Sequence, residues 1–356
     1  MARKKIAIDV REALVEKPAG KGLVVRFLVE ALLKENPPLQ LVLFCSANQK
    51  APRHWPIRRI PACPLSWHLY LALFLLPFSD IDLFISPLSA ITPALLWGKK
   101  SLLVVTDLSA WRYPKEHKLK TFILDRFFLP LAVKRAGGII AISSFTKKEL
   151  GKVLGVKKNK VRVMPLAPTF AGERKIRLPF RDYFLYLGTL EPRKNIGRMI
   201  RAYSLASREK TLPPLLLAGR LGWKTKAIEQ LIAQSPAVHY LGYLPDDQKK
   251  SLLRGAYGFL FPSLYEGFGL PVLEALSLGV PTLVSRAGSL PEVAGEAACY
   301  VNPHNTSDIK KGILKLTNPA LRASLKRKGP PRAAQFSWSQ SARVLIETIN
   351  EIARQR

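Results

Sequence analysis

PSLYEGFGLPVLEALSLGVPTLVS, Pro262 to Ser285, decides how the rest of the chain is read. The residues just before it, Phe259 to Phe261, form a short strand-like run. A loop containing Gly267 and Gly269 follows, and then a helical pattern with Pro271 in its first turn, where a missing amide does no harm. Strand, glycine loop and helix in that order make a unit of a parallel α/β sheet. Both glycines allow the backbone to approach a ligand closely. The amides of Phe268, Gly269 and Leu270 then lie near the positive end of a helix, a natural seat for phosphate. Glu266 sits in the loop and Glu274 in the helix, with seven residues between them. A carboxylate on each side of a phosphate-binding turn suits a nucleotide sugar, one accepting from ribose hydroxyls and the other from sugar hydroxyls. A plain surface loop followed by a solvated helix is the competing reading, and the paired glycines count against it.

Upstream, YLGTLEPRKNIGRMIRAY reads as a strand ending at Gly188, a loop with Arg193 and Lys194, and a helix from Asn195, a good cap residue. Open α/β sheets bind ligands beyond the carboxyl ends of their strands, so both cations are placed to meet a diphosphate. One of them can offset charge on a departing nucleotide. A solvated basic turn is the ordinary alternative in so basic a chain.

The same alternation extends over the whole sequence. Strands read at KIAIDV, LQLVLFC, IDLFIS, SLLVVTD and GGIIAIS in the first half, with helical patterns near Val24–Lys34, Trp67–Leu76 and Lys120–Ala136. Ser143 to Glu149 has the hydroxyls of a capped helix start. After Val161 the pattern pauses in a stretch with three prolines and a glycine, an expected linker. It resumes with YFLYLG, LPPLLLAG, VHYLG, GFLFP and PTLVS, and Trp338 to Arg354 reads as an amphipathic helix. The expected layout is therefore residues 1–168, a Rossmann-like acceptor-binding domain; 169–335, a Rossmann-like nucleotide-sugar-binding domain; and 336–356, a C-terminal helix packing back toward the first. At 356 residues the chain has room for two domains of roughly 100–200 residues each.

Net charge is +31, from 56 Lys and Arg against 25 Asp and Glu. Residues 1–162 carry +17 and the remainder +14, so the excess is no tail effect and calls for an anionic partner: phosphate, nucleic acid or an acidic membrane. No zinc-finger spacing or RNA-recognition signature accompanies it, and nucleic acid is not expected as a partner. Cys45, Cys63 and Cys299 are widely spaced without a paired-thiol metal pattern, which fits a reducing, cytoplasmic compartment. The basic start MARKKIAIDVREAL reads as a first strand over Lys5–Val10 rather than a signal peptide. No run reaches the ~20 apolar residues of a spanning helix. The nearest is Leu65–Phe78, within PIRRIPACPLSWHLYLALFLLPF. That segment joins Arg58 and Arg59 to an aromatic-apolar stripe and reads either as a core helix or as a basic amphipathic surface lying on the inner face of an anionic membrane.

Together, GTLEPRKN (Gly188–Asn195), LGYLPDDQKKSLLRGAYGFLFPSLYEGFGLPVLEAL (Leu241–Leu276) and GVPTLVSRAGSLPEVAGEAACYVNP (to Pro303) closely resemble glycosyltransferase family 4, retaining enzymes of the GT-B fold. The resemblance covers most of the second half and is patchier in the first. It implies two Rossmann-like domains facing across a cleft and a nucleoside-diphosphate hexose as donor. Glu266 would contact the transferred sugar, Glu274 the ribose, Phe268 to Leu270 the sugar or diphosphate, and Lys194 with Arg193 the diphosphate. Thr189 stands where some relatives have an arginine, so either Lys194 and Arg193 bear more of the phosphate load or the site is weaker. Gly20 and Gly22 resemble the glycine loop that faces the donor phosphates. VVTDLSAWRYP (Val104–Pro114) resembles a segment where relatives often have His before Asp; here Thr106 precedes Asp107 and could donate to the sugar in its place. Asp80-Ile81-Asp82 has a metal-binding form but reads as loop chemistry, and no metal is expected because backbone amides and Lys194 can neutralise the diphosphate. GTLEPRKN resembles mannosyltransferases, implying GDP-mannose as donor, while a glycan or, from attachment to a membrane, a lipid-linked or lipopolysaccharide-type molecule is the expected acceptor. A nucleotide-sugar epimerase of the same fold and a non-catalytic basic binding protein are the competing functions.

Overall fold

The structure is a computed structural model that describes residues 3–16, 20–61, 67–114 and 119–354. Cys63, with Leu65 and Ser66 of the apolar segment, lies outside the described residues. The chain divides into two compact units, Met1–Leu166 with Ser337–Arg356, and Ala167–Phe336.

The first unit runs β1 (Lys4–Asp9), α1 (Gly20–Glu35), β2 (Leu39–Ser46), β3 (Ile57–Ile60), α2 (Trp67–Tyr70), β4 (Leu83–Ser86), α3 (Ile91–Leu95), β5 (Lys100–Val105), α4 (Ser109–Arg112), α5 (Leu119–Arg135), β6 (Gly138–Ala141), α6 (Ser144–Leu154) and β7 (Val161–Val163). Its seven strands are all parallel, in the order β3-β2-β1-β4-β5-β6-β7. β4, β5 and β6 lie inside the sheet and are buried almost throughout, which is why they read as continuous apolar runs. β3, with the sequence IRRI, escaped the sequence reading. It is a short edge strand whose two arginines face solvent, the usual protection of an open edge. Strand order reverses between β1 and β4. Right-handed crossovers then place α1 on one face and α2, α3 and α5 on the other.

The second unit runs β8 (Phe184–Leu187), α7 (Ile196–Glu209), β9 (Leu215–Ala218), α8 (Lys226–Ala233), β10 (Val238–Gly242), α9 (Asp246–Arg254), β11 (Gly258–Phe261), α10 (Leu270–Ser277), β12 (Thr282–Ser285), α11 (Leu290–Ala294), β13 (Ala298–Val301), α12 (Thr306–Lys315) and α13 (Pro319–Ala333). Its six parallel strands have the order β10-β9-β8-β11-β12-β13. β13 also escaped the sequence reading, being short, half-exposed and at the edge. The reversal here falls between β8 and β11. The last helix, α14 (Trp338–Arg354), belongs to the first unit. It buries Leu345, Ile349 and Ile352, packs along α1, and stacks Trp338 on Phe27 at 5.8 Å.

Ser143 caps α6 as its sequence requires, its hydroxyl accepting from the Thr146 amide at 3.0 Å. The apolar segment after Trp67 is both core and surface. One turn of α2 continues as a π-turn over Leu71–Leu75, with the Leu76 amide donating to the Leu71 carbonyl at 3.0 Å. Leu71, Ala72 and Leu76 are buried with Phe44, Ile60 and Phe84, whereas Phe74 and Phe78 are exposed.

Candidate functional site

In an open α/β sheet the crevice beyond the strand ends is widest where strand order reverses, because the crossovers leave toward opposite faces. In the second unit the loops after β8 and β11 flank that point. The first carries Arg193 and Lys194 in a single 3-10 turn, Pro192–Lys194; the second carries Glu266. Lys194 Nζ donates to Glu266 Oε1 at 2.6 Å, and both side chains are nearly buried. Lys194 also lies over the Phe261 ring at 5.4 Å. Arg193 ties the loops together: Nη1 donates to the Tyr265 carbonyl at 2.7 Å, Nη2 to Glu191 at 2.8 Å, and Nη1 is 3.6 Å from Glu266 Oε2. Its guanidinium is thus engaged by the protein on several sides. Glu191, itself buried, was not singled out in the sequence reading; its only signal is the two-residue spacing to Arg193.

Asn195 does not cap α7 with its side chain. It adopts the left-handed conformation (φ 62°), and its amide donates to the Pro262 carbonyl at 3.0 Å and the Pro303 carbonyl at 2.7 Å. Its Oδ1, the atom a capping asparagine would offer to the free amides of the helix start, accepts instead from Arg198 Nη1 at 2.8 Å. Tyr186, fully buried on β8 and stacked on Phe261 at 5.8 Å, donates to the Thr189 carbonyl at 3.0 Å. Burial, with the nearby Glu266 and Glu191 charges, pushes its hydroxyl well above the usual tyrosine range, so it remains a donor.

Glu266 is positioned from behind by its main chain. Its carbonyl accepts from the Ser289 amide at 3.1 Å and the Ser289 hydroxyl at 3.0 Å. Gly288 (φ 62°) lies against it, and a Cβ there would stand 2.5 Å from the Glu266 carbonyl oxygen. Gly269 (φ 98°) precedes α10, and a Cβ there would meet Leu290 at 2.5 Å. The amides of Gly269 and Leu270 therefore stand at the start of α10, with Pro271 in its first turn as expected. Phe268 is buried and packs edge-on against Phe336 at 5.9 Å.

Glu274, on α10, is almost wholly buried. Its Oε1 accepts from Lys249 Nζ at 2.7 Å, the Thr169 amide at 3.1 Å and the Thr169 hydroxyl at 2.6 Å. Oε2 receives no donor from the protein among the described residues. Lys249 and Thr169 went unnoticed in the sequence: one is a lysine beside another on α9 in a very basic chain, the other a threonine in the expected linker.

The residues expected in the first unit gather at its own strand ends. Gly20 and Gly22, expected as a loop, form the first turn of α1, ahead of the apolar pattern of Leu23–Leu32. Thr106 and Asp107 follow β5. Asp107 accepts from the Ser109 amide at 2.9 Å and from the Ser109 hydroxyl, in a turn that leads into α4. Asp125 on α5 is raised above its usual range by burial, with Lys21 lowering it and Asp107 raising it. One electrostatic neighbourhood thus unites the glycine turn with Asp107. Asp80 and Asp82 hold Lys5, Asp82 accepting its amide at 2.8 Å and Asp80 its ammonium, as loop chemistry requires. At the end of β1, Asp9 accepts from Trp67 Nε1 at 3.0 Å and pairs with Arg11, whose guanidinium stacks on Trp67 at 4.2 Å and reaches His68 Nε2 at 3.1 Å. Burial, reinforced by Arg11 and partly opposed by Asp9, pulls His68 down to about 4.

Two parallel-sheet units of this design make the GT-B fold. The fold superposes on sucrose-phosphate synthase from Thermosynechococcus elongatus with a TM-score of 0.79 over 99% of this chain and 100% of that one, at 19% identity. WaaG, a glycosyltransferase involved in lipopolysaccharide biosynthesis, gives 0.71 over 97% of this chain and 99% of its own, at 16% identity. Residues 174–331 match the glycosyl transferases group 1 family model. The O-antigen chain mannosyltransferase B of Escherichia coli is 34% identical over 260 residues, 68% of each chain. The chain belongs to the group 1 glycosyl transferases.

Proposed function

We propose that this glycosyltransferase moves mannose from GDP-mannose, with retention of configuration, to a glycan or lipid-linked acceptor of lipopolysaccharide type, working in the cytoplasm at the inner face of a membrane. The observation that carries the reading is the Lys194–Glu266 contact beside the start of α10. A diphosphate seated on the α10 amides would meet Lys194 as its nearest ammonium. Glu266 would accept from hydroxyls of the transferred hexose, and Glu274 would offer Oε2 to the ribose. Arg193 serves mainly by holding the two loops in register. The bond from sugar C1 to the phosphate oxygen breaks as the acceptor oxygen bonds C1 on the same face, and the acceptor proton passes to the leaving phosphate. No covalent enzyme nucleophile is required. Positive groups near the departing diphosphate lower the barrier because its charge grows in the transition state.

The name of the Escherichia coli relative supports mannose and an O-antigen acceptor. No metal enters the scheme, since Lys194 and backbone amides would face the diphosphate, and Asp80 and Asp82 hold Lys5. In the first unit, Thr106 and Asp107 would meet the acceptor or sugar, with the turn at Gly20 and Gly22 close by. The attachment proposed is peripheral; no helix among the described residues is long and apolar enough to cross a membrane.

The decisive experiment incubates the purified chain with GDP- and UDP-hexoses, with and without acceptor glycolipid, in excess chelator. Transfer from GDP-mannose that persists in chelator supports the proposal. An altered sugar nucleotide formed without acceptor would replace it with an epimerase. Activity lost to chelator and restored by magnesium would overturn the metal-free scheme.

A further inference from the structure

The outer surface of one helical layer in the first unit is unusually apolar. Leu73, Phe74, Phe78, Trp97, Ile123 and Phe127 are all exposed, Phe78 by 76% and Phe127 by 66%. They ride on, or directly follow, the π-turn after α2, then α3 and α5, which cover the same face of the sheet. α3 packs against both the π-turn and α5. Phe78 and Trp97 touch edge to face at 5.9 Å, and Phe74 stacks on Tyr70 at 6.3 Å. The π-turn has a direct part in this. Its wider turn sends Leu71 and Leu76 inward, five residues apart, while the intervening Leu73 and Phe74 face out. Large exposed aromatics collected on one layer are not explained by packing within the unit, and such patches mark interaction surfaces.

We infer that this face docks on an anionic lipid bilayer, inserting its aromatic side chains to headgroup depth. The inference deepens the proposed function by naming the surface that would hold the enzyme at a membrane-borne acceptor. Charge selects the occupant. The unit carries 31 Lys and Arg against 13 Asp and Glu, a net +18. Two such units brought face to face repel, whereas an anionic bilayer attracts them. Basic groups lie within the layer itself: Lys99 follows Trp97, and Arg126 sits between Ile123 and Phe127, its guanidinium 5.5 Å from the Trp111 ring. Phe and Trp beside Lys and Arg are the side chains that bind the boundary between headgroups and acyl chains. Arg59, singled out in the sequence, is less available, since it donates to the Gln49 carbonyl at 2.5 Å.

The test is co-sedimentation of the full chain with vesicles of phosphatidylcholine alone or mixed with phosphatidylglycerol. The triple variant Phe78→Ser, Trp97→Ser, Phe127→Ser is compared with Leu205→Ser, an exposed leucine on the second unit. Circular dichroism and thermal unfolding confirm that both fold. Wild type and Leu205→Ser should favour the anionic vesicles, and the triple variant should bind them about tenfold more weakly or worse. Undiminished binding by the triple variant would overturn the inference. So would a wild-type chain that ignores vesicles but forms a dimer dissolved by the same three substitutions. GDP-mannose turnover measured on the same preparations reports the transferase reading separately, so either can fail alone.

Discussion

Lys194 and Glu266, 72 residues apart in sequence, meet at 2.6 Å beside the point where strand order reverses in the second sheet. Neither residue could form this pair within its own loop. Parallel pairing of β8 with β11 brings their carboxyl ends side by side, and Arg193 then ties the loops together.

Lys194→Ala should lower kcat for hexose transfer by about 10²–10³-fold, the usual loss when one preorganised group stabilising transition-state charge is removed. Glu266→Gln should give a loss of similar order, with a smaller effect on nucleotide binding because the diphosphate contacts remain. Steady-state kinetics with GDP-mannose checks both, and full activity in either variant would remove that residue from the site.

Glu274 and Lys249 form a buried pair, with side chains 2% and 11% exposed. Glu274→Ala strands the ammonium and should cost about 3 kcal/mol of stability as well as donor affinity. The double variant Glu274→Leu, Lys249→Met removes both charges and should regain much of that stability without regaining affinity for GDP. Thermal unfolding and calorimetric titration separate the two effects. Recovery of GDP affinity in the double variant would show that neither side chain serves the nucleotide.

Gly288→Ala places a methyl group 2.5 Å from the Glu266 carbonyl in a left-handed residue, so Glu266 must shift. Gly155→Ala supplies the control: its φ is 66°, but a Cβ there meets nothing within 4 Å. It should cost only about 1 kcal/mol, the penalty for left-handed alanine. Transfer activity should fall steeply in the first variant and remain in the second. Equal activity in both would mean that the Gly288 contact does not position Glu266.

His68 gives the first unit a pH-dependent stability. Its folded value, about 4, lies below the ordinary 6.5, so between those limits the unfolded chain binds the extra proton. Its contribution is complete above about pH 6.5 and is lost as pH falls toward 4, amounting to about 2–3 kcal/mol. His68→Gln should flatten the unfolding midpoint over this window. An unchanged slope would mean that the ring is protonated in the folded state.

Much of this was legible in the letters. The inner strands are apolar on both faces and announce themselves, as do the Ser143 cap and the first turn of α10 at Pro271. β3 was missed because its two exposed arginines interrupt the apolar run, and β13 because four half-exposed residues at the sheet edge are too short a run to stand out. Asn195 stands at the start of α7 as the sequence placed it, but its side chain does not cap, because Arg198 takes its oxygen and two distant carbonyls take its amide, partners a sequence cannot reveal. Gly20 and Gly22 were misread as a loop because glycine's conformational freedom leaves its state to its neighbours.

The chain's own order of residues determined the two parallel α/β units, the glycine turn before α10 and the pair Glu266 and Glu274, since these depend on local periodicity and short-range spacing. Tertiary structure alone decided which cation faces which carboxylate: Lys194 with Glu266, Lys249 with Glu274, and Arg193 turned to Glu191 and the Tyr265 carbonyl. It also decided which apolar side chains stay outside. Charge pairing and exposure depend on groups brought close by strand order and helix packing, and those distances exist only once the sheet has formed.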